Sequence, residues 1–100
     1  MSFPLTSHTI VKNEEGWIKP ALLSVIDKAD RLLVWDTGST DKTVELIKSI
    51  NSEKIEFKQC GPVDRKQLVD LRNEQIRTTQ TPWFLLLDGD EVWPKKTWFN

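Results

Sequence analysis

Residues 83–90 read Trp-Phe-Leu-Leu-Leu-Asp-Gly-Asp, and Glu91 follows directly. The five consecutive apolar residues predict a strand that is covered on both faces, as in the middle of a parallel sheet. The strand runs into three carboxylates, Asp88, Asp90 and Glu91, and Gly89 permits a sharp bend between them. Carboxylates crowded at the mouth of a buried strand repel one another unless a cation lies among them. The stretch therefore predicts either a divalent-cation site that also holds phosphate oxygens or a solvated acidic turn.

The rest of the chain alternates apolar runs with segments of helical periodicity. The predicted strands cover residues 9–11, 32–35 and 54–59, and the predicted helices cover about 17–29, 41–50 and 63–79. Ser39 or Thr40 is the expected N-cap of the second helix, with Asp41 in its first turn. The alternating pattern of residues 54–59 is typical of an edge strand. Residues 92–100 are compatible with one helical turn.

This alternation of strands and helices is typical of right-handed crossovers between parallel strands. We therefore predict an α/β fold with a mostly parallel sheet, helices on both faces and the order β-α-β-α-β-α-β. In such sheets, ligands bind outside the carboxyl ends of the strands. Residues 12–15, 36–41 and 88–91 all follow predicted strands, so the three segments are expected to face one crevice.

Two side chains near this crevice have alternative interpretations. Asp36 ends a predicted buried strand, where it either caps the following loop or accepts a hydrogen bond from a base or ribose. Arg72 lies within the third predicted helix, where its guanidinium either faces solvent or reaches a phosphate or base in the crevice. Glu14 and Glu15 follow the first strand, and one of the two is expected to line the pocket.

The composition excludes several classes of function. The 100 residues form one domain, and a net charge of −1 without a basic block argues against a nucleic-acid partner. Cys60 and His8 are the sole members of their residue types, so a disulfide, a histidine-based metal site and a Ser-His-Asp triad are not expected. The chain has neither a P-loop nor a dinucleotide fingerprint. It also lacks a signal peptide and a transmembrane run, so we predict a cytoplasmic protein.

Four motifs occur in order along residues 8–91. They are Ile-Val-Lys-Asn-Glu-Glu at 10–15, Val-Trp-Asp-Thr-Gly-Ser-Thr-Asp-Lys-Thr at 34–43, Leu-Arg-Asn at 71–73 and Leu-Leu-Leu-Asp-Gly-Asp-Glu at 85–91. Together they resemble the family 2 glycosyltransferases of the GT-A fold, and the first two resemble a branch often found as bacterial cytoplasmic transferases. The resemblance is specific because it requires four motifs in the right order over nearly the whole chain.

The resemblance implies inverting transfer of a sugar from a nucleotide diphosphate donor, often a UDP-sugar, with Mn²⁺ or Mg²⁺. Asp36 would contact the base, Asp88 would hold the ribose, and Asp90, the second acid of the Asp-x-Asp (DXD) motif, would ligate the metal that bridges the diphosphate. The remaining expected nucleotide-binding residues are Val11, Glu14 and Arg72. The sugar and the acceptor are not identified by these motifs.

Members of this family continue beyond the position that corresponds to Asn100. The resemblance therefore implies that residues 1–100 are a donor-binding domain, truncated before the acceptor-binding half and before the catalytic base. We expect the missing strands to leave apolar surface exposed, including Trp93, Trp98 and Phe99, and to favour a homo-oligomer through that edge.

Two alternatives remain open at the level of sequence. The first is a nucleotide-binding fragment that does not catalyse any reaction. The second is a haloacid-dehalogenase-like phosphatase, in which Asp88 is the nucleophile and Asp90 the general acid. That phosphatase motif normally follows the first strand of its fold, whereas here three β-α units precede it.

Overall fold

The computed structural model describes residues 3–89, with the backbone alone for Phe3. The elements are β1 (Phe3–Val11), α1 (Ile18–Val25), β2 (Ala29–Asp36), α2 (Thr43–Ser49), β3 (Ile55–Gln59), α3 (Arg65–Thr78) and β4 (Trp83–Leu86). The predicted order of strands and helices is confirmed. The segment 92–100, with Trp93, Trp98 and Phe99, lies outside the described residues, as do Asp90 and Glu91.

The four strands form one parallel sheet in the order β3-β2-β1-β4. The chain first builds outward from β1 through β2 to β3, and α3 then carries it back to the other side of β1. The direction of winding therefore reverses between β1 and β4, which is the point where open α/β sheets bind their ligands. The predicted α/β class with a parallel sheet is confirmed.

One face of the sheet carries the apolar core. Alternate residues of β1 and β2 point to this face and pack against α1 and α2, because successive side chains of a strand point to opposite sides. The buried residues of this core are Leu5, Val11, Ile18, Leu22, Val25, Ala29, Leu32, Val34, Ile47 and Leu87. The spacing of Ile18, Leu22 and Val25 in α1 gives the helix one apolar stripe that fits against the strands.

The other face of the sheet is covered by α3 through polar contacts. Gln75 is fully buried, and its Nε2 donates to the Thr9 carbonyl at 3.1 Å. One turn further along the helix, Thr79 Oγ1 lies 2.5 Å from His8 Nε2. The Thr79 hydroxyl donates to the Gln75 carbonyl, so His8 Nε2 is the donor to Thr79. These bonds place the carboxyl end of α3 beside the middle of β1, with the helix running opposite to the strands.

The start of α3 carries a capping box that the sequence analysis did not predict. The Asp64 carboxylate accepts a hydrogen bond from Gln67 N at 2.7 Å, and Gln67 Oε1 accepts one from Asp64 N at 2.9 Å. This reciprocal capping box satisfies two of the amide groups that a helix leaves unpaired at its first turn. It stabilises the first turn of α3.

Several predicted boundaries were wrong. β1 begins at Phe3 rather than Thr9, because its first half contains polar residues that the apolar pattern does not detect. Ser7 and His8 are nevertheless buried in this strand. Ala29 fits the helical spacing of α1, but α1 ends at Val25 and Ala29 begins β2.

β4 was predicted to be covered on both faces, and this is wrong for the described residues. Among residues 3–89, β4 pairs with β1 alone, so it forms an edge of the sheet. Trp83 and Leu86 are 69% and 53% exposed. A continuous apolar run does not by itself reveal whether a strand lies in the middle or at the edge of a sheet. The other edge is β3, as its alternating sequence predicted.

None of the three helices within residues 3–89 combines the length and the apolar character that crossing a bilayer requires.

Candidate functional site at the carboxyl ends of the strands

The loops after β1 and β2 are joined by the side chain of Asn13. Asn13 Oδ1 accepts hydrogen bonds from Thr40 N at 2.8 Å and Asp41 N at 3.4 Å, and Asn13 N donates to Ser39 Oγ at 2.9 Å. Asn13 has a φ of 53°, a left-handed conformation that asparagine tolerates better than most residues. The two loops are therefore held together as one wall at the carboxyl edge of the sheet.

Thr43 and Asp41 add a second set of bonds between the same loops. Glu14 N donates to Thr43 Oγ1 at 2.8 Å, and the Thr43 hydroxyl donates to Asp41 Oδ1 at 2.5 Å. Glu15 N donates to Asp41 Oδ2 at 3.3 Å. Hydrogen bonding from Thr43 lowers the pKa of Asp41 below the ordinary value of an aspartate. Asp41 is therefore an ionised acceptor at neutral pH.

This network also explains why the predicted start of α2 was wrong. Ser39 and Thr40 do not cap the helix, which begins at Thr43 with Lys42 as its N-cap residue. Asp41 precedes the helix instead of lying in its first turn. The small polar residues of the loop form hydrogen bonds with Asn13 and Asp36. The residue types that predicted a helix cap therefore stabilise the loop before the helix instead.

Asp36 lies at the end of β2 and is almost completely buried. Its Oδ2 accepts hydrogen bonds from Gly38 N at 3.1 Å and Ser39 N at 3.0 Å, and its Oδ1 accepts one from the Ser39 hydroxyl. Capping of its own loop, one of the two interpretations of Asp36, is therefore observed. Each carboxylate oxygen has more than one acceptor position, so this capping leaves room for one further donor.

The turn that follows β4 meets the loop that follows β1. A methyl group placed on Gly89 would lie 2.9 Å from Val11 Cγ2 and 3.3 Å from Glu14 Cγ. Gly89 lies in a turn and does not have a positive φ, and its lack of a side chain permits this close approach. The first and last of the three predicted segments are therefore in contact at the point where the sheet reverses.

Asp36 and Asp88 lie on either side of β1. Val11 pairs in register with Asp36, and Leu87 N donates to the His8 carbonyl at 3.0 Å, which places Asp88 beyond the end of the β4 ladder. With two strand spacings between them, the backbones at these positions are separated by about 10 Å. The side chain of Asp88 is exposed, whereas that of Asp36 is buried. This separation is comparable to the size of a nucleoside.

Arg72 lies on the face of the sheet that α3 covers. It is half-buried and precedes Gln75 by almost one helical turn, toward the amino end of α3 and the carboxyl ends of the strands. The neighbouring surface holds Lys58, whose Nζ lies 4.7 Å from the centre of the Trp35 ring and 3.8 Å from Glu74 Oε1. Arg72 therefore lies on the side of Gln75 that is nearer to the carboxyl ends of the strands.

The expected metal ligands are described in part. Asp90 lies outside the described residues, and within residues 3–89 no three side chains of His, Cys, Asp or Glu cluster as a metal site would require. The donors that the sequence supplies beside Gly89 are carboxylate oxygens, which suit Mg²⁺ or Mn²⁺ held by one or two protein ligands. The chemistry of the donor set therefore fits such a cation. Cys60 is half-buried, and burial raises the pKa of its thiol, as expected for a cysteine without a catalytic role.

A cavity of about 370 Å³ lies at the opposite, amino edge of the sheet. It is lined by Thr6, Asp30, Arg31, Leu33, Glu56, Thr78, Thr79, Gln80 and Thr81. Two pairs of its lining residues contact each other: the Thr6 and Thr81 hydroxyls are hydrogen-bonded at 2.8 Å, and Arg31 forms an ion pair with Glu56 at 3.9 Å. Because ligands of parallel sheets bind at the carboxyl edge, this cavity is not the candidate site.

Sequence reasoning missed two residues that build the site, Asn13 and Thr43. Both residues belong to the motifs at 10–15 and 34–43, but neither was assigned a structural role. A usable signal was present in both cases. Asparagine directly after a strand favours a left-handed turn, and threonine two residues after an aspartate favours a side-chain hydrogen bond at a helix start.

Comparison with known proteins places this geometry in a family. Residues 8–100 match the profile described as glycosyl transferase family 2. An uncharacterized glycosyltransferase of Rickettsia bellii is 30% identical over 92 residues, which are 92% of this chain and 29% of the relative. The SPbeta prophage-derived glycosyltransferase SunS of Bacillus subtilis is 30% identical over 93 residues, which are 92% of this chain and 21% of the relative.

A TPR repeat-containing protein of Synechococcus elongatus is 29% identical over 89% of this chain and 21% of its own length. The chain thus spans less than a third of the length of each of these relatives. The matched residues include all four motifs and the three loops that meet at the carboxyl edge of the sheet. The chain therefore belongs to glycosyl transferase family 2.

Proposed function

We propose that this domain binds the nucleotide of a nucleotide-diphosphate sugar, most simply a UDP-sugar, as the donor half of an inverting glycosyltransferase. The observation that carries the proposal is the meeting of the loop after β1 with the turn after β4, where Gly89 packs on Val11 and Glu14. This contact lies at the reversal point of a parallel sheet, where nucleotide ligands are bound in open α/β folds.

Each predicted nucleotide-binding residue has a role that fits its place. Asp36, at the buried end of β2, accepts a hydrogen bond from the edge of the base, and Asp88, on the far side of β1, accepts one from a ribose hydroxyl. Val11 and Glu14 form the floor between them, with Arg72 of α3 close to the nucleotide. The fixed loop wall contributes because a site built from rigid elements loses less entropy when the nucleotide binds.

Asp90 is the proposed ligand of Mn²⁺ or Mg²⁺. Such a cation, when bound, offsets the negative charge that develops on the leaving diphosphate. This chain would contribute the carboxylate of Asp90. Its position depends on the turn, where Gly89 packs against the loop after β1.

The transfer itself is proposed for the whole protein. In an inverting transfer, an acceptor hydroxyl forms a bond to the anomeric carbon while the bond from that carbon to the diphosphate breaks, and a carboxylate base takes the hydroxyl proton. We propose that the base and the acceptor-binding half lie beyond Asn100. Residues 1–100 then act as one donor-binding domain. A cytoplasmic location stays a prediction.

The test is a calorimetric titration of the chain with UDP in the presence and absence of Mn²⁺. We expect metal-dependent binding that Asp88→Asn weakens by roughly tenfold or more, because a hydrogen bond to a charged group contributes about 1.5–3 kcal/mol. Asp27→Asn is the matched control, since Asp27 is an exposed aspartate in the turn before β2, at the opposite edge of the sheet. It is expected to leave the affinity unchanged.

Absence of binding by the wild-type chain would contradict the proposal for this domain. Binding that is equally strong without metal would contradict the role of Asp90. Equal losses in Asp88→Asn and Asp27→Asn would show that the ligand is held by general electrostatic attraction instead of a site at the carboxyl edge.

A further inference from the structure

The hydroxyl of Thr43 is a buried link between the start of α2 and the loop after β1. Thr43 is completely inaccessible to solvent. Its Oγ1 accepts the hydrogen bond from Glu14 N at 2.8 Å while its proton is donated to Asp41 Oδ1 at 2.5 Å. Because the hydroxyl is bonded to both groups, it links Glu14 N to Asp41 Oδ1. An aliphatic side chain of the same shape could form neither hydrogen bond.

Asp41 holds Thr43 from the other side. The same Oδ1 also accepts Thr43 N at 2.9 Å, and Oδ2 accepts Glu15 N at 3.3 Å. One carboxylate therefore bonds to the backbone at the start of α2 and to the loop after β1. The orientation of the Thr43 side chain is fixed by its backbone and its hydroxyl together.

Glu14 carries this constraint to the Asp-Gly-Asp turn. Its amide is fixed by Thr43, and a methyl group on Gly89 would lie 3.3 Å from Glu14 Cγ and 3.4 Å from Glu14 Cβ. Gly89 thus lies so close to the Glu14 side chain that an added methyl group would crowd it. A displacement of Glu14 by a few tenths of an ångström would have to be matched by the turn that carries Asp88.

We infer that Thr43 is a positioning residue for donor binding, which acts through Glu14 and Gly89 to set the place of the turn at Asp88 and Gly89. Thr43 itself does not touch the nucleotide. This inference rests on the proposed function for its consequence in affinity, but the mechanical link from Thr43 to Gly89 is independent of any ligand. The two parts can therefore be tested separately.

The experiment compares three variants by amide NMR and by titration with UDP and Mn²⁺. Thr43→Val keeps the shape of the side chain and removes the hydroxyl, whereas Thr43→Ser keeps the hydroxyl. Thr6→Val is the matched control, because Thr6 is also buried and hydrogen-bonded, to Thr81, but lies far from the crevice in β1.

We expect Thr43→Val to shift the Gly89 amide resonance and to speed hydrogen exchange at Glu14 N. We also expect it to weaken UDP binding by about tenfold, equivalent to about 1.4 kcal/mol. Thr43→Ser is expected to restore the resonance and the affinity to within about threefold of wild type, since the two hydrogen bonds remain possible. Thr6→Val is expected to lower the melting temperature with unchanged UDP affinity.

A Thr43→Val chain with an unmoved Gly89 resonance and wild-type affinity would overturn the inference. An equal loss of UDP affinity in Thr6→Val and Thr43→Val would also overturn the inference, because the loss would then reflect stability alone. If Thr43→Val does not fold, Asp41→Ala provides a second test, because it removes the partially exposed carboxylate that accepts the Thr43 hydrogen bonds. An unmoved Gly89 resonance in Asp41→Ala would also overturn the inference. Absence of UDP binding in the wild type would contradict the proposed function, while the NMR comparison would still decide the link to Gly89.

Discussion

Gly89 shows how one missing side chain can set the geometry of a site. An alanine methyl group here would lie 2.9 Å from Val11 Cγ2, closer than carbon atoms approach without displacement. We expect Gly89→Ala to lower the free energy of unfolding by roughly 1–3 kcal/mol through overpacking, and to weaken UDP binding because the turn moves. Thermal unfolding and a UDP titration measure the two effects.

Gly16→Ala is the control for this substitution. Gly16 lies in the same region of the chain, after β1, and a methyl group there would have no neighbour within 4 Å. We expect unchanged affinity and a melting temperature at or slightly above that of wild type, because alanine restricts the unfolded chain. A Gly89→Ala chain as stable as Gly16→Ala would mean that the contact with Val11 relaxes at no cost.

His8 predicts a loss of stability in mild acid. Burial lowers the pKa of His8 below its ordinary value of 6.5, so the unfolded chain binds a proton at a pH where the folded chain does not. Stability contributed by neutral His8 is therefore complete above about pH 7.5 and falls as the pH drops through 6.5 toward the lower folded value. Urea unfolding at pH 7.5 and pH 5.5 measures the difference.

The control for His8 is the His8→Gln variant, whose amide can still donate to Thr79. We expect it to remove most of the change in unfolding free energy between pH 7.5 and 5.5. Asp41 does not interfere in this window, because its pKa is lowered from 3.8 and its contribution is lost at a more acidic pH. A variant with the same pH dependence as wild type would place the responsible group elsewhere.

At the residue scale, sequence reasoning located the site better than it explained it. The carboxylates and Gly89 were found because they directly follow apolar runs, which identifies strand ends. The contact of Gly89 with Val11 joins residues that are far apart in sequence, for which a single sequence gives no register. The capping of the loop by Asp36 is local, and the sequence offered it as one of two interpretations. The sequence placed Gly89 at a bend but gave no sign of its contact with Val11.

At the scale of elements, the exposed edge of the sheet has a measurable consequence. β4 carries exposed apolar side chains at Trp83, Phe84 and Leu86, and its outer backbone groups are not paired within residues 3–89. Such an edge favours association between chains. We expect the isolated chain to self-associate and Leu86→Lys to shift it toward the monomer, as measured by sedimentation velocity.

The matched control for this edge is Leu23→Lys. Leu23 is 47% exposed, comparable to Leu86, but lies on the outer side of α1 and not at a sheet edge. It is expected to leave the association unchanged. A monomeric wild-type chain, or equal effects of the two lysines, would contradict association through β4.

The same elements show why boundaries were harder to predict than element types. The start of β1 was missed because Thr6, Ser7 and His8 are polar but buried, and their burial depends on α3 and β4, which come much later in the chain. α2 starts late because Asn13 and Asp36 bond to the residues that would otherwise cap it. In each case, tertiary contacts overrode the local preference.

At the scale of the whole molecule, the alternation of strands and helices was enough to predict a parallel α/β sheet. It did not predict the strand order, because a right-handed crossover after β3 permits β4 to join either free edge. The structure places β4 beside β1, and this choice alone creates the reversal point at which the motifs meet. The convergence of the motifs was expected from strand polarity, whereas the direct contact of Gly89 with Glu14 was not.

The division of the core between two unlike faces leads to the last prediction. The buried apolar cluster lies on the face toward α1 and α2, whereas Gln75, the buried residue of α3, and Thr79 form hydrogen bonds to β1. Arg72 lies on α3, on the amino side of Gln75. A nucleotide that contacts Arg72 as well as Asp88 would tie α3 to the carboxyl edge, so binding should stabilise the whole chain.

We expect UDP with Mn²⁺ at about 100 times its dissociation constant to raise the free energy of unfolding by about 2.7 kcal/mol, which thermal unfolding detects as a higher melting temperature. Removal of the metal with EDTA should abolish this increase, because the diphosphate would then lack its counter-charge beside Asp88 and Asp90. Arg72→Gln should reduce the increase, whereas Arg31→Gln, an exposed arginine at the amino edge, should not. An equal increase in the presence of EDTA would show that UDP binds without metal. If UDP stabilises Arg72→Gln as much as Arg31→Gln, the guanidinium of Arg72 faces solvent.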